Sequence, residues 1–184
     1  MSNLTLGSIS GMPLNGNVVS VPSGHMIKQS GMILQVLQAV KTDVFSTSST
    51  TYVDVTGLSI AITPKFSTSK ILVSGNISLG STTVERYSIF GKLVRNSTDI
   101  YVADVAGNRD RGTFSYQMGG FEGPMSQHFM FLDSPNTTSA TTYKVQIRAE
   151  SPTTAYINRG LEGDGDSSIS PRVVSSITVM EVAV

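Results

Sequence analysis

The amino-acid sequence predicts an all-β fold, an antiparallel β-sandwich or jelly roll of about ten strands with an extended N-terminal arm. The first observation is that apolar residues recur at every second position in several runs, which places them on one face of a pleated strand. The second is that β-branched residues dominate these runs, and that Ser, Thr, Gly, Asn and Pro separate them at regular intervals. No segment has a convincing helical pattern, so the strands are expected to form two packed sheets.

Residues 1–31 differ in composition from residues 32–184, and we expect an arm followed by one β-sandwich domain. Glycine and proline interrupt the first segment every few residues, and no Asp, Glu, Lys or Arg precedes Lys28. Its short apolar groups suit isolated bridges rather than a core. An uncharged, partly apolar segment is poorly suited to disorder in water, so the arm is predicted to pack on another surface. The alternative is a loose terminus.

Residues 32–40 fit two patterns. Their apolar residues have helical spacing, but the same run also fits a strand that is buried on both faces. The length of this segment is at the boundary between the two structures. No Glu or Gln follows Ser30 at the offset of a capping box, so the strand is favoured.

The stretch from residue 42 to residue 79 contains three apolar runs separated by polar residues, Gly and Pro. The second run alternates between Leu58 and Ile62, and the third alternates between Ile71 and Leu79. Alternation of this kind predicts strands with one face in a core and one face in water. We therefore expect an antiparallel meander, in which successive strands pair with each other.

The rest of the chain continues the pattern of short strands between turns. Gly91 is expected to mark a bulge or a point of close approach, and the Phe and Met content of residues 127–132 predicts a buried strand. Asn96 and the Asp133-Ser134-Pro135-Asn136 segment are turn signals. The predicted strands are residues 87–95, 100–105, 113–118, 127–132, 143–149, 154–158 and 173–182.

Composition excludes several classes of function. The 184 residues include 13 basic and 13 acidic side chains and only 14% charged residues, so no basic excess favours binding to nucleic acid. The chain has no cysteine, which removes disulfides, thiolate catalysis and cysteine-based metal sites. No apolar run is long enough for a transmembrane helix, and membrane insertion is not expected.

One loop stands out as a candidate contact group. Arg109, Asp110 and Arg111 lie between two glycines, in a polar segment between predicted strands. Exposed loops on a rigid β scaffold are where recognition residues are most often found. The alternative is that opposite charges in the loop pair with each other and contribute little.

A second candidate loop is acidic. Glu162, Asp164 and Asp166 offer oxygen atoms of the kind that bind Ca²⁺, but their spacing lacks the terminal Glu of an EF-hand, and a flexible acidic loop without metal is favoured. His25 and His128 have neither zinc-site nor general-base spacing. We therefore predict no catalytic residue, no metal and no cofactor.

Several segments together resemble a known family. They are VPSGHMIKQSGMILQV, ILQVLQAVKTDVFSTSSTTYVDVTGLSIAITPKFSTSKILV, FLDSPNTTSATTYKVQIRAE and SSITVMEV, and they cover nearly the whole chain from about residue 21. They resemble a β-sandwich module in structural proteins of tailed bacteriophages, particularly marine and cyanobacterial phages. The resemblance rests on phrases of sequence and carries no active-site motif.

This resemblance implies a non-enzymatic virion protein, assembled in the host cytoplasm. It implies a homotrimeric tail-fibre or appendage module whose residues 1–31 contact other virion proteins and whose loops meet a host glycan or protein. Two alternatives remain open, a capsid decoration protein and a carbohydrate-binding module that uses an exposed tyrosine. An enzyme such as a glycan depolymerase would need paired carboxylates, for which Glu122 and the acidic loop are the only plausible sources.

Overall fold

A computed structural model describes residues 27–82, 87–117, 123–161 and 171–184. Most of the predicted arm, His25, Glu122 and the acidic loop with Glu162, Asp164 and Asp166 lie outside the described residues. The described part contains eleven strands and is all-β, as predicted. They are β1 (Ile33–Lys41), β2 (Phe45–Thr47), β3 (Val53–Ile62), β4 (Lys70–Ser81), β5 (Ser88–Arg95), β6 (Thr98–Ile100), β7 (Phe114–Gln117), β8 (Met125–Asp133), β9 (Thr141–Ala149), β10 (Ala155–Ile157) and β11 (Ser175–Val182).

The strands form two antiparallel sheets. In sheet A the long strands follow the order β1-β11-β4-β8, and β2 and β10 continue this sheet beside the far end of β4. In sheet B the order is β3-β9-β5, and β7 and β6 share the outer edge of β5. Sheets of six and five strands make a β-sandwich, and the order β1-β11-β4-β8 facing β3-β9-β5-β7 is that of a jelly roll, which confirms the predicted fold class.

The core lies between the two sheets and is built by alternation. On β9, Tyr143, Val145, Ile147 and Ala149 are all fully buried, while the residues between them face outward. The predicted inward residues of β3 and β4 are buried or half-buried, but residues 77–81 of β4 are buried on both faces, so Ser78 does not face water as predicted. Each fully buried aliphatic side chain of this kind stabilises the fold by about 1.5–3 kcal/mol.

Two glycines allow phenylalanine rings to fold over the sheets. Gly75 of β4 lies opposite Phe129 of β8, and Gly91 of β5 lies opposite Phe114 of β7. A Cβ atom would come within 2.3 Å of the ring at Gly75 and within 2.0 Å at Gly91. The two rings stack on each other, with centroids 5.9 Å apart. The predicted close approach at Gly91 is thus confirmed, and its partner is a side chain.

One buried polar cluster joins the two sheets. Asp133 of β8 accepts two hydrogen bonds of 2.8 Å from Arg95 of β5 and one of 2.6 Å from the hydroxyl of Tyr143 on β9. Burial raises the pKa of the Tyr143 hydroxyl, and the hydrogen bond to Asp133 adds to this effect. The tyrosine therefore stays a donor, and the carboxylate is compensated by one cation.

A second carboxylate holds the loop between β3 and β4. Glu181 of β11 is buried and accepts hydrogen bonds from the backbone amides of Lys65 (2.7 Å) and Phe66 (3.3 Å), and from the side chain of Gln35 (2.6 Å). Burial by itself raises the pKa of Glu181, but the nearby hydroxyl of Ser69 and these hydrogen bonds outweigh burial and hold that pKa below its ordinary value.

Three predictions about the strands are wrong. The runs between residues 42 and 79 do not form a meander, because β2 and β4 belong to sheet A and β3 belongs to sheet B. Alternation shows which face of a strand is buried but not which strand pairs with it. Residues 101–105 are not a strand, since β6 ends at Ile100 and Tyr101 has a positive φ of 51°.

The third error concerns burial. Residues 127–132 form part of β8 as predicted, but only one face of this strand is buried, and Met130 is 63% exposed. The strand over residues 32–40 is confirmed as β1. It is an edge strand of sheet A, and its outward side chains are also exposed. Both strands have apolar residues on both faces, which predicted burial on both faces.

Candidate functional site

The candidate contact group lies on the loop formed by residues 101–113, which covers part of sheet B. Arg109, Asp110 and Arg111 are all exposed. The carboxylate of Asp110 forms an ion pair with Arg148 of β9, so its partner is in the sheet and not in the loop. The backbone carbonyl of Arg111 accepts a hydrogen bond of 3.1 Å from the hydroxyl of Tyr52. The loop is therefore tied to the sheet at two successive residues.

The arginine side chains of this loop differ in how they are held. Nε of Arg111 donates a hydrogen bond of 2.6 Å to the carbonyl of Ala103, which closes the loop on itself. The side chain of Arg109 makes only a long contact of 3.5 Å with the carbonyl of Ala106. Arg109 is thus the guanidinium of this loop that is most available to a partner.

Beneath the loop, the outer face of sheet B carries charged side chains in pairs, and we call it the charged face. Nζ of Lys144 lies 2.8 Å from Asp54, and Gln146 donates a second hydrogen bond of 2.7 Å to the same carboxylate. The hydrogen bonds from Lys144 and Gln146 lower the pKa of Asp54. Nζ of Lys92 lies 2.6 Å from Asp99.

Cations on the charged face also cover aromatic rings. The ammonium group of Lys92 lies 4.0 Å from the ring centroid of Tyr52, and the guanidinium of Arg148 lies 4.3 Å from that of Phe90. Burial raises the pKa of the Tyr52 hydroxyl, so it remains a donor to the loop. Apolar surface on this face is therefore shielded by charged side chains.

The outer face of sheet A has the opposite character. Strand register places its central side chains in three rows across β1, β11, β4 and β8. We call these positions the neutral face, because none of them is Asp, Glu, Lys or Arg. The rows are Val36, Met180, Leu72 and Leu132; then Gln38, Thr178, Ser74 and Met130; then Val40, Ser176, Asn76 and His128.

Large apolar side chains are exposed at both borders of the neutral face. Val36 and Val40 on β1, and Met130 and Leu132 on β8, are each more than half exposed. No large apolar side chain on the described strands of sheet B is exposed to that extent. Exposed apolar groups that cluster on one face mark a surface that contacts another molecule.

Between these borders the neutral face contains a shallow hollow of about 460 Å³. Small polar residues of β11 and β4 line it, and Met130 and His128 of β8 form its wall. Oδ1 of Asn76 is buried in this region and accepts no hydrogen bond from the described residues. The hollow is open and mixed in polarity, so its shape suits an inserted side chain.

Both borders of the neutral face are edge strands. Among the described residues, β1 pairs only with β11 and β8 pairs only with β4. The single charged residue of each strand, Lys41 on β1 and Asp133 on β8, is buried. Soluble proteins commonly protect sheet edges with exposed charges, and neither edge has one.

The described residues contain no cluster of three or more His, Asp or Glu side chains that could hold a metal ion. His128, which was expected in a buried run, is exposed on the neutral face. In the part of the chain that the structure describes, no helix is long and apolar enough to cross a membrane.

No family model matches this chain, and no curated protein matches it. Two similar solved structures are particles of one virus. The crystal structure of the infectious bursal disease virus VP2 subviral particle has a TM-score of 0.41 and 11% identity, over 90% of this chain and 46% of that chain. The structure of T=1 particles derived from infectious bursal virus has a TM-score of 0.39 and 10% identity, over 90% of this chain and 44% of that chain.

This chain therefore spans less than half the length of the two viral chains. Both TM-scores lie below 0.5, so the likenesses carry no inference about what this chain does. Sequence reasoning missed the neutral face, although a signal was present. Both β1 and β8 are nine residues long, have apolar residues at odd and at even positions, and contain one charged residue each.

Proposed function

We propose that this chain is a non-enzymatic structural subunit of a bacteriophage virion, and specifically a homotrimeric tail-fibre or appendage module. The observation that carries the proposal is the neutral face, an uncharged surface with exposed apolar borders on one side of a well-packed sandwich. A face of this kind is stable in water when other subunits cover it. The charged face on the opposite side is suited to solvent.

The fold and the sequence support the same function. The jelly roll occurs in viral capsid proteins as well as in lectins and cupins, which is an argument by analogy at the level of the fold. The resemblance to phage structural modules extends over most of the chain, and it favours a virion protein over a lectin or a cupin.

Within this proposal, residues 1–31 act as the anchor to other virion proteins. The described end of the arm is tied to the sandwich, because the amide of Gly31 donates to the carbonyl of Ala183 (2.8 Å) and the amide of Ala183 donates to the carbonyl of Met32 (2.9 Å). Nζ of Lys28 also lies 4.6 Å from the ring centroid of Phe66. The described end of the arm thus lies beside the end of β11, at one end of sheet A.

The loop formed by residues 101–113 is the proposed host-contact element. It lies on the charged face, on the side of the sandwich away from the neutral face, so a trimer that covers the neutral face leaves the loop accessible. Exposed guanidinium groups such as that of Arg109 bind carboxylates and phosphates on a host glycan or protein.

Sedimentation equilibrium of the purified full chain tests the assembly. We expect a trimer at micromolar concentration, and a monomer whose mass does not change with concentration would contradict the proposal. The position on the particle requires a second measurement, the number of copies per virion. A number comparable to that of the major capsid subunit would indicate a capsid decoration protein, whereas a small number would indicate a tail appendage.

A further inference from the structure

We infer that the neutral face is the surface through which copies of this chain contact one another. The inference rests on the proposed homotrimer and adds the location of the subunit interface. Its occupant is a second copy of the chain, and the first reason is the distribution of apolar side chains. The row formed by Val36, Met180, Leu72 and Leu132 runs across all four long strands of sheet A without a polar interruption.

The charge of this face is the second reason. A surface without Asp, Glu, Lys or Arg can be buried against a second copy without removing an ion from water. The charged face has the opposite property, since a second copy there would have to desolvate ion pairs such as Lys144 with Asp54 and Lys92 with Asp99. Self-association is therefore favoured on sheet A.

The size of the face is the third reason. The three rows of the neutral face span four strands about 4.8 Å apart and six residues at about 3.3 Å per residue, roughly 19 by 20 Å, or about 380 Å² in projection. Side chains standing on a pleated sheet expose more area than this projection. The face therefore supplies at least about half of the roughly 800 Å² per partner that stable protein interfaces bury, and the open edges of β1 and β8 beside it offer further surface.

The shape of the face is the fourth reason. Met130 projects beside the hollow that residues such as Ser74 and Thr178 line, so one surface carries both a projection and a recess. Methionine is flexible and fills irregular gaps, which suits insertion between two copies. The open edges of β1 and β8 border the same surface, and an assembly on the neutral face brings another copy close to them.

A charged substitution on this face tests the inference directly. We expect the wild type and a control, Val105→Lys, to sediment as trimers, because Val105 is 74% exposed in the loop on the other side of the sandwich. We expect Met130→Lys to weaken assembly by at least about 100-fold, since it places an unpaired ammonium in the interface. Met130→Leu keeps the apolar contact and should remain a trimer.

Circular dichroism separates loss of assembly from loss of folding, and a β-sheet spectrum is expected for all four proteins. If the wild type is a monomer, the proposed homotrimer and the inference are both wrong. If the wild type is a trimer and folded Met130→Lys is also a trimer, only the location of the interface is wrong.

Crosslinking identifies the occupant even if a charged variant fails to fold. The chain has no cysteine, so Met130→Cys carries a unique thiol that can be labelled with a photoreactive maleimide. Mixing isotope-labelled and unlabelled copies distinguishes links within a chain from links between chains. Links between copies to peptides of β1, β4, β8 or β11 would support the inference. Links to residues 1–26, or no links between copies of a trimer, would overturn it.

Discussion

Sheet A and sheet B bury alternate residues in the same way, but their outer faces differ in chemistry. The charged face of sheet B pairs its charges and covers aromatic rings with cations, as at Lys92 over Tyr52. The neutral face of sheet A carries hydroxyl, amide and apolar side chains, and Val36 and Met130 at its borders are exposed. Packing of the core requires only the inner faces to be alike, so the outer faces are free to serve different contacts.

The largest effect is expected at the polar cluster that joins the two sheets. In Arg95→Met the carboxylate of Asp133 remains buried without its cation, and we expect the free energy of unfolding to fall by about 3 kcal/mol. Urea denaturation measures this change. The matched control is Lys92→Met, which removes an ion pair from the charged face and should cost less than about 1 kcal/mol.

Equal losses in these two variants would contradict the distinction between a buried link and a surface pair. Arg95 and Lys92 lie on the same strand, so a general effect of losing a cation from β5 is present in both. The difference between the two measurements therefore reports the burial of Asp133.

A smaller effect, dependent on pH, is expected at Glu181. Its pKa is lower in the folded protein than the ordinary value of about 4.3. The charged carboxylate therefore stabilises the fold above that ordinary value, and this contribution is lost as the pH falls through the lower folded value. Glu181→Gln should lose about 1.5 kcal/mol at neutral pH and show a flatter decline in acid.

Asp54 on the charged face is the comparison for Glu181, because its pKa is lowered in the same direction. Its side chain is more than half exposed, so solvent screens the effect and Asp54→Asn should change the acid decline less. Thermal denaturation between about pH 3 and pH 7 covers the ordinary pKa values of both groups. An acid decline in Glu181→Gln as steep as in the wild type would contradict this account.

The sequence was sufficient for the fold class and for the buried face of the clearest strands. Alternation in β9 and β4 predicted their inward residues because a period of two is a property of the strand itself. It did not predict that β3 pairs with β9, since pairing depends on tertiary contacts between distant segments. The predicted meander assumed that strands adjacent in sequence pair with each other, and it was wrong for this reason.

The candidate site was only partly accessible from the sequence. The loop with Arg109, Asp110 and Arg111 was recognised by its charges between two glycines. Its anchor, Arg148, could not be identified, because β9 comes to lie beneath the loop only when sheet B forms. The border strands of the neutral face, β1 and β8, were predicted to be buried, since apolar residues on an exposed face have the same composition as residues of a core.

The smallest effect on stability is expected where the contact loop meets the charged face. In Asp110→Asn the ion pair with Arg148 is lost, but Asp110 is exposed, and the free energy of unfolding should change by less than about 1 kcal/mol. Amide hydrogen exchange around residues 110 and 111 should nevertheless become faster, because a side-chain tie between the loop and the sheet is gone while the strands stay paired. Tyr52→Phe removes the neighbouring tie, the hydrogen bond to the carbonyl of Arg111, and should act on the same amides. Arg109→Gln is the matched control, since its side chain makes only a long contact within the loop. Exchange that stays unchanged in both anchor variants would mean that the loop is held independently of the charged face, and the contrast between the two faces would then not extend to the loop.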